Sequence, residues 1–317
     1  MSDRFRSAAG GDARVPSWAT FFDGEEYDHF MQVVADDLAR RGDVTIEEGV
    51  AELEIEGGGQ HRLGLQNLAQ LCNQVEEDQW EELVREHFDR VIVSTHTHDL
   101  EAIGRDFSQV KSIVKVRLYA RESLGELTAS TIHRDLGEDL VSVLVYDLPD
   151  AVATVPTEAP SHWPLTLDEV FEIALANVLE QDEVETEVLD LDDGTKFSVM
   201  VGESFFVTSH MLVLENYLQP VTSMGALVAV PNRHTLLFAP IADLTVVDTL
   251  HAMAILANRR HAEGPGSLSP SLYWWRDGTL LALPTEIDDD GVRFFPPAEF
   301  VEGCLERLAK PSAYGPN

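Results

Sequence analysis

The last third of the chain alternates hairpin signals with helix signals, and this rhythm constrains the fold more than any other feature. Apolar residues alternate over 184–189 and again over 197–201, on either side of the turn signal Asp192-Asp193-Gly194-Thr195. Two more hairpins are predicted over 226–241 and 272–283. Helices are predicted over 205–218 and from about residue 243. Because consecutive hairpins pair antiparallel, we expect an α+β fold with a mainly antiparallel sheet built from hairpin–helix units. The second hairpin should be central, since both faces of its strands are apolar.

The predicted organisation is two lobes separated by a proline-rich stretch. Residues 149–164 contain four prolines and interrupt the periodic pattern. Thr166 and Glu169 then form a capping-box signal at the start of a helix. The expected layout is a disordered tail over 1–16, an N-terminal α+β lobe over 17–148, a linker over 149–164, a C-terminal α+β lobe over 165–310 and a tail over 311–317.

Charge and composition exclude several classes of function. The net charge is −34, from 56 acidic and 22 basic residues, so the surface repels DNA, RNA and anionic lipid and no direct nucleic-acid binding is expected. No apolar run approaches the ~18 residues that a membrane helix needs. Two cysteines exclude a disulfide framework, and the polar N-terminus is unlike a secretory signal, so we expect a cytoplasmic protein outside the membrane. The acidic charge either attracts a basic protein partner or only maintains solubility.

No motif predicts catalysis, a cofactor or a metal. The segment His133-Arg134-Asp135-Leu136 matches the start of a protein-kinase catalytic loop, but Leu140 stands where that loop has asparagine. His96 and His98 have no evident third partner for zinc, so we expect a polar turn there, with Asp99 capping a short helix. The sequence has no nucleophile elbow and no dinucleotide-binding glycine pattern.

An aromatic run supplies the first candidate partner-binding residues. Tyr273, Trp274 and Trp275 are consecutive on a predicted strand, so Tyr273 and Trp275 share one face and Trp274 lies on the other. Two interpretations remain open: both faces are core, or the face of Tyr273 and Trp275 is exposed to anchor a partner.

An acidic strand supplies the second set of candidates. Residues 180–193 hold eight acids and no base, and Glu183, Glu185 and Glu187 share one strand face opposite Val184 and Val188. The row is either a solvated face or a steering surface for a basic partner.

Three short motifs resemble a known family. They are Leu65-Gln66-Asn67-Leu68, Ala229-Val230-Pro231-Asn232-Arg233-His234 and Leu268-Ser269-Pro270. Together they make the chain similar to the YtpQ-like bacterial proteins, which carry a domain of unknown function, from the first helix to about residue 283. The resemblance implies a cytosolic bacterial protein and supplies no activity, cofactor or catalytic residue. The extreme acidity and the N-terminal tail depart from that family.

The leading functional hypothesis is a non-enzymatic interaction or adaptor protein. Its anchors would be Tyr273 and Trp275, at least one of them substantially exposed, and Glu183, Glu185 and Glu187 would steer a basic partner. The alternative is an enzyme or small-ligand binder with a pocket between the lobes.

Overall fold

The computed structural model describes residues 14–55, 59–97, 100–125, 128, 131–149, 151–219, 222–288 and 291–309. These residues form helices and antiparallel sheets joined by turns and loops, which confirms the predicted α+β class. The chain divides into two compact units: Met1–Asp99 with Leu148–Ala151 and Glu263–Gly266, and Leu100–Asp147 with Val152–Ala262 and Ser267–Asn317. No helix in the described ranges is long and apolar enough to cross a membrane.

The first unit joins helices and a three-stranded antiparallel sheet in one core. Its elements are α1 (Gly24–Ala39), β1 (Asp43–Glu47), β2 (Val50–Ile55), β3 (Gly59–Gly64), α2 (Gln66–Cys72) and α3 (Trp80–Thr97), with sheet order β1-β2-β3. The alternating run 44–55 reads as one strand in the sequence, but the structure has two. Glu48 and Gly49 turn the chain between them, with φ of 47° and 78°, the left-handed conformation that tight hairpin turns need.

The second unit contains the remaining elements. These are α4 (Leu100–Gly104), α5 (Phe107–Val110), β4 (Val114–Ala120), α6 (Arg121–Leu124), β5 (His133–Asp135), β6 (Leu140–Asp147), β7 (Val152–Thr154), α7 (Leu167–Gln181), β8 (Glu185–Asp190), β9 (Lys196–Val201), a 3₁₀ helix (Val207–Asn216), β10 (Ala226–Asn232), β11 (Thr235–Pro240), α8 (Val246–Glu263), β12 (Leu272–Arg276), β13 (Thr279–Leu283), β14 (Thr285–Asp288), β15 (Gly291–Phe294), α9 (Ala298–Phe300), a π-helical turn (Val301–Leu305) and α10 (Glu306–Ala309). Thr166 and Glu169 form the predicted capping box at the start of α7.

A six-stranded antiparallel sheet organises this unit, in the order β13-β12-β10-β11-β9-β8. The prediction that the second hairpin is central is confirmed, because β10 and β11 are the two middle strands. Leu227 and Ala229 of β10 face a core that α8 and Phe300 complete, whereas Val228 and Val230 face a core shared with the 3₁₀ helix and Leu118. Both faces are therefore covered, which explains why β10 is buried along its whole length.

The proline-rich stretch contains folded segments, and the chain passes between the two units within it, because Leu148–Ala151 belongs to the first unit and the chain from Val152 to the second. The expected lobe boundaries stay a prediction. Residues 152–154 form β7 and pair with β6, and the buried Trp163 donates its indole N–H to the carbonyl of Gly104. Strand β7 itself contains no proline, and the four prolines of the stretch lie before and after it. Apart from residues 14–16, the two expected tails lie outside the described residues.

Candidate functional site

Strand β4 carries charged side chains into the interior. Its apolar face, with Val116 and Leu118, is buried as the alternation predicts. On the opposite face Lys115 and Arg117 are also buried, with only 5% and 8% of their surfaces exposed. Charged side chains are rarely this buried unless they are paired. The groups that neutralise these two cations therefore indicate whether this face of β4 has a structural or a binding role.

Lys115 is paired in the ordinary way. Its Nζ lies 2.6 Å from Oδ2 of Asp147 at the end of β6. The same ammonium lies 4.7 Å from the ring centroid of Phe206, close enough for a cation–π contact. An opposite charge and an aromatic face therefore offset the loss of hydration.

Arg117 is not paired. Within the described part of the chain it makes no hydrogen bond or ion pair, and its Nε is shielded from solvent without an acceptor. Its guanidinium carbon lies 4.7 Å from the ring centroid of Tyr119 and 5.7 Å from that of Phe205. Ring faces offset only part of the cost of burying a charge.

A second arginine approaches the same ring. Arg233, in the turn between β10 and β11, has its guanidinium carbon 4.2 Å from the centroid of Phe205. Burial, and secondarily the positive charge of Arg117, lowers the pKa of Arg233 to about 9. That shift disfavours the charged form by on the order of 5 kcal/mol, although the guanidinium still carries its proton at pH 7. Two cations of like sign therefore flank one aromatic ring.

His234 holds this turn in place in its neutral form. Its Nε2 accepts a hydrogen bond from Nε of Arg233 at 2.9 Å, and its Nδ1 donates to the carbonyl of Gly202 at 3.2 Å. Burial, followed by the charge of Arg233, lowers the pKa of His234 below its ordinary value. Asn232 anchors the turn from the other end, donating from Nδ2 to the carbonyl of Arg260 and accepting the N–H of His234. The arginine cluster is defined as Arg117, Tyr119, Phe205, Arg233 and His234.

A groove of about 830 Å³ opens beside the segment that carries Phe205. Its lining residues are Lys115, Asp147, Gln181, Asp182, Glu183, Val184, Glu185, Val201, Gly202, Glu203, Ser204, Phe205 and Phe206, and they define the acidic groove. Lys115, its one base, is paired with Asp147. In the ranges that the structure describes, Glu183, Glu185 and Glu203 have no ion-pair partner, so the groove keeps an excess of negative charge.

A buried polar network supports the groove from behind. Asp182 accepts a hydrogen bond from Nε2 of His210 at 3.1 Å, and Nδ1 of His210 accepts one from the hydroxyl of Tyr217 at 2.6 Å. The Asp182 and His210 side chains are each only 2% exposed. Burial, followed by the charge of Asp182, raises the pKa of Tyr217. The network ties the 3₁₀ helix to the end of α7.

The candidate anchor Tyr273 requires a correction, because its side chain is 1% exposed and belongs to the core. The predicted alternation holds: Tyr273 and Trp275 face one core and Trp274 the other. The Tyr273 hydroxyl donates to Asp139, which also accepts from Ser269, so this ring fixes the turn before β6 and presents no surface. Trp275 is half-buried.

The structure does not bring the aromatic pair and the acidic row together. Strand β12 is four strand spacings from β8 in the sheet, about 19 Å. Glu183, Glu185 and Glu187 are all exposed, as both the solvated-face and the steering-surface interpretations require. Glu183 and Glu185 line the acidic groove and Glu187 does not.

Sequence reasoning missed the arginine cluster and Phe205. Two signals were present: Lys115, Arg117 and Tyr119 alternate with apolar residues along one strand, and Arg233 lies in the turn of the second hairpin. Basic residues on one face of a strand normally predict that this face is exposed to solvent. Only the fold shows that the segment 202–206 and the β10–β11 turn cover it.

The remaining motifs give no chemistry. The short strand β5 begins at His133 and ends at Asp135, and Asp135 forms a surface ion pair with Arg121. Helix α3 extends through Thr97, so His96 is helical rather than in a turn, while His98 and Asp99 lie outside the described residues. Among the residues described, no group of three or more histidines, cysteines or acids could hold a metal ion.

Comparisons with protein-family models, curated proteins and solved structures find no match to this chain. The resemblance to the YtpQ-like proteins therefore stays a prediction from three short motifs. Two of them have local structural roles: Asn232 anchors a turn, and Ser269 donates to Asp139.

Proposed function

We propose that the protein is a cytoplasmic binding protein whose acidic groove receives a basic segment of a partner protein. The observation that carries the proposal is the groove itself, in which Glu183, Glu185 and Glu203 surround apolar surface without a counter-charge in the described residues. Half-buried Val184 and Val201 supply that surface. Lysine and arginine match such a lining, because their aliphatic stems pack on apolar walls while their charged ends reach carboxylates.

The groove suits an extended segment better than a folded surface. It lies at the ends of β8 and β9, and β8 is the last strand of its sheet. The net charge of −34 adds a long-range field that attracts a basic partner and raises the encounter rate at low salt. Affinity would come from the groove contacts, and the exposed row that includes Glu187 would contribute mainly to steering.

The test is a titration with a fluorescent peptide of about ten residues in which arginine and lysine alternate with small residues. We expect saturable binding that weakens with salt, and about tenfold weaker binding in the triple variant Glu183→Gln/Glu185→Gln/Glu203→Gln. The matched control is Glu299→Gln/Glu302→Gln/Glu306→Gln, which changes the net charge equally at exposed positions of the C-terminal helical segment. Its affinity should stay within about threefold of the unmodified protein. Equal losses in both triple variants would show that net charge alone attracts the peptide, and the proposal would fail.

A further inference from the structure

We propose that the arginine cluster is a binding site for the phosphate group of a small molecule, next to the acidic groove, with which it shares Phe205. The geometry points to this because Arg117 is more than nine-tenths buried, has an Nε without an acceptor, and shares the ring of Phe205 with Arg233. Within the described ranges no carboxylate pairs with either guanidinium. A fold that buries one guanidinium, and half-buries a second against the same ring, with no carboxylate partner among the described residues has a place for an anion.

The hydrogen-bond donors of the cluster match an oxyanion. A guanidinium has five N–H donors and no acceptor, and its planar fork fits carboxylate and phosphate oxygens. The Nε of Arg233 donates to His234, so its two terminal nitrogens remain available to a ligand. Arg117 donates no hydrogen bond to a described residue. His234 thus orients Arg233 toward the cluster while staying neutral itself.

Charge favours phosphate over a single carboxylate. Two guanidinium groups carry two positive charges, and a phosphate monoester carries between one and a half and two negative charges at pH 7. Its tetrahedral oxygens can also accept from two forks that do not lie in one plane. The acidic surface opposes a long polyanion such as nucleic acid, whereas a small ion is repelled far less at physiological salt.

Part of the cluster is open to solvent. Phe205 is 37% exposed, and Arg233 and His234 are half-buried, whereas Arg117 is buried. Tyr119 is half-buried as well and can contact the group that carries the phosphate. The site is therefore accessible without unfolding of the sheet.

The test is calorimetric titration of the full chain at pH 7 with inorganic phosphate, phenyl phosphate and acetate, at constant ionic strength. We expect one saturable site for both phosphates and binding at least about tenfold weaker for acetate. Tighter binding of phenyl phosphate would indicate an organic phosphate ester, and equal binding would indicate the free ion. Absence of a saturable signal with either phosphate would overturn the proposal.

Variants assign the signal to the cluster. Arg117→Met and Arg233→Gln should each weaken phosphate binding about tenfold or more, and Arg117→Lys should give an intermediate loss because it keeps the charge and not the fork. The control Arg293→Gln removes an exposed arginine that pairs with Glu286 and Asp288, and it should bind like the unmodified protein. Circular dichroism verifies folding, and the lysine variant serves if the methionine variant does not fold. Unchanged binding in the folded Arg117 variants would exclude this site.

The two proposals fail separately. The groove triple variant should still bind phosphate, since none of its glutamates belongs to the arginine cluster. Arg117→Met should still bind the basic peptide, since Arg117 does not line the groove. Loss of both activities in one variant would mean that the variant is misfolded, which the folding check detects.

Discussion

Lys115 and Arg117 lie two residues apart on one face of β4, are buried to nearly the same degree, and have opposite electrostatic surroundings. Lys115 has a carboxylate at 2.6 Å, and Arg117 has two aromatic rings and a second arginine nearby. Position and burial are thus held almost constant while the counter-charge changes. The fold supplies a counter-charge for Lys115 and none, among the described residues, for Arg117. This difference is why we infer that Arg117 binds an anion.

The first way to test the comparison is to make Lys115 resemble Arg117. Asp147→Ala leaves the buried ammonium without its carboxylate, and we expect the free energy of unfolding to fall by about 2–3 kcal/mol. The value is below that for a fully buried pair because the Asp147 side chain is 32% exposed. Urea denaturation measures the change.

The control removes an ion pair that is equally close but exposed. Lys196 and Asp190 lie opposite each other on β9 and β8, with Nζ 2.5 Å from Oδ2 and both side chains more than half exposed. Asp190→Ala should cost less than about 1 kcal/mol. Equal costs for the two variants would mean that the burial of Lys115 has no energetic consequence.

The second test removes the unpaired charge. Arg117→Met replaces a buried guanidinium by an apolar chain that fills much of its volume, so the desolvation cost disappears while part of the packing remains. Without phosphate, the free energy of unfolding should stay unchanged or rise by up to about 2 kcal/mol. The lost contact with Tyr119 offsets part of the gain.

Urea denaturation in phosphate-free buffer decides this outcome. Destabilisation by about 2 kcal/mol or more would show that Arg117 has a structural partner in the folded protein, which would contradict the comparison with Lys115. The unmodified protein should gain stability when phosphate is added, and the variant should not, because only a site present in the folded state shifts the unfolding equilibrium.

The sequence predicts the sheet well because its signals are local. The hairpin predicted over 272–283 forms as β12 and β13, and it turns at Asp277-Gly278, where both residues adopt the positive φ that such turns need. The continuous apolar pattern of β10 and β11 likewise predicts burial on both faces. The segment 205–218 was less predictable: it is a 3₁₀ helix over Val207–Asn216, interrupted by a non-helical Val213.

The candidate site was not predictable, because it depends on what covers a strand face. Nothing within β4 distinguishes Arg117 from a solvated arginine, and its neighbours Phe205 and Arg233 come from segments about ninety and a hundred and twenty residues away. The burial of Tyr273 was not predictable for the same reason. An exposed anchor and a core tyrosine have the same local sequence pattern, and Asp139, to which the buried Tyr273 donates, is distant in sequence.

The smallest expected effect concerns His234, whose pKa is lowered by burial and, to a smaller extent, by the charges of Arg233 and Arg117. Because its pKa is lower in the folded protein than in the unfolded chain, the unfolded state binds more protons below the ordinary histidine pKa of about 6.5. Stability is therefore fully present above pH 6.5 and falls as the pH decreases toward the folded pKa. The groups that face this ring are Arg233, Arg117, Phe205 and the backbone of Gly202 and Ser204. His234→Gln should make the loss of stability between pH 6.5 and 5 smaller, and His251→Gln, at an exposed position of α8, serves as the control.

The same comparison in sulfate, a dianion throughout this range, tests whether an anion reaches the arginine cluster. If sulfate occupies the cluster it offsets the charges that depress the pKa of His234, so the difference between His234→Gln and the unmodified protein should shrink relative to chloride at equal ionic strength. An undiminished difference in sulfate would show that burial alone depresses this pKa and that the anion does not reach the two arginines.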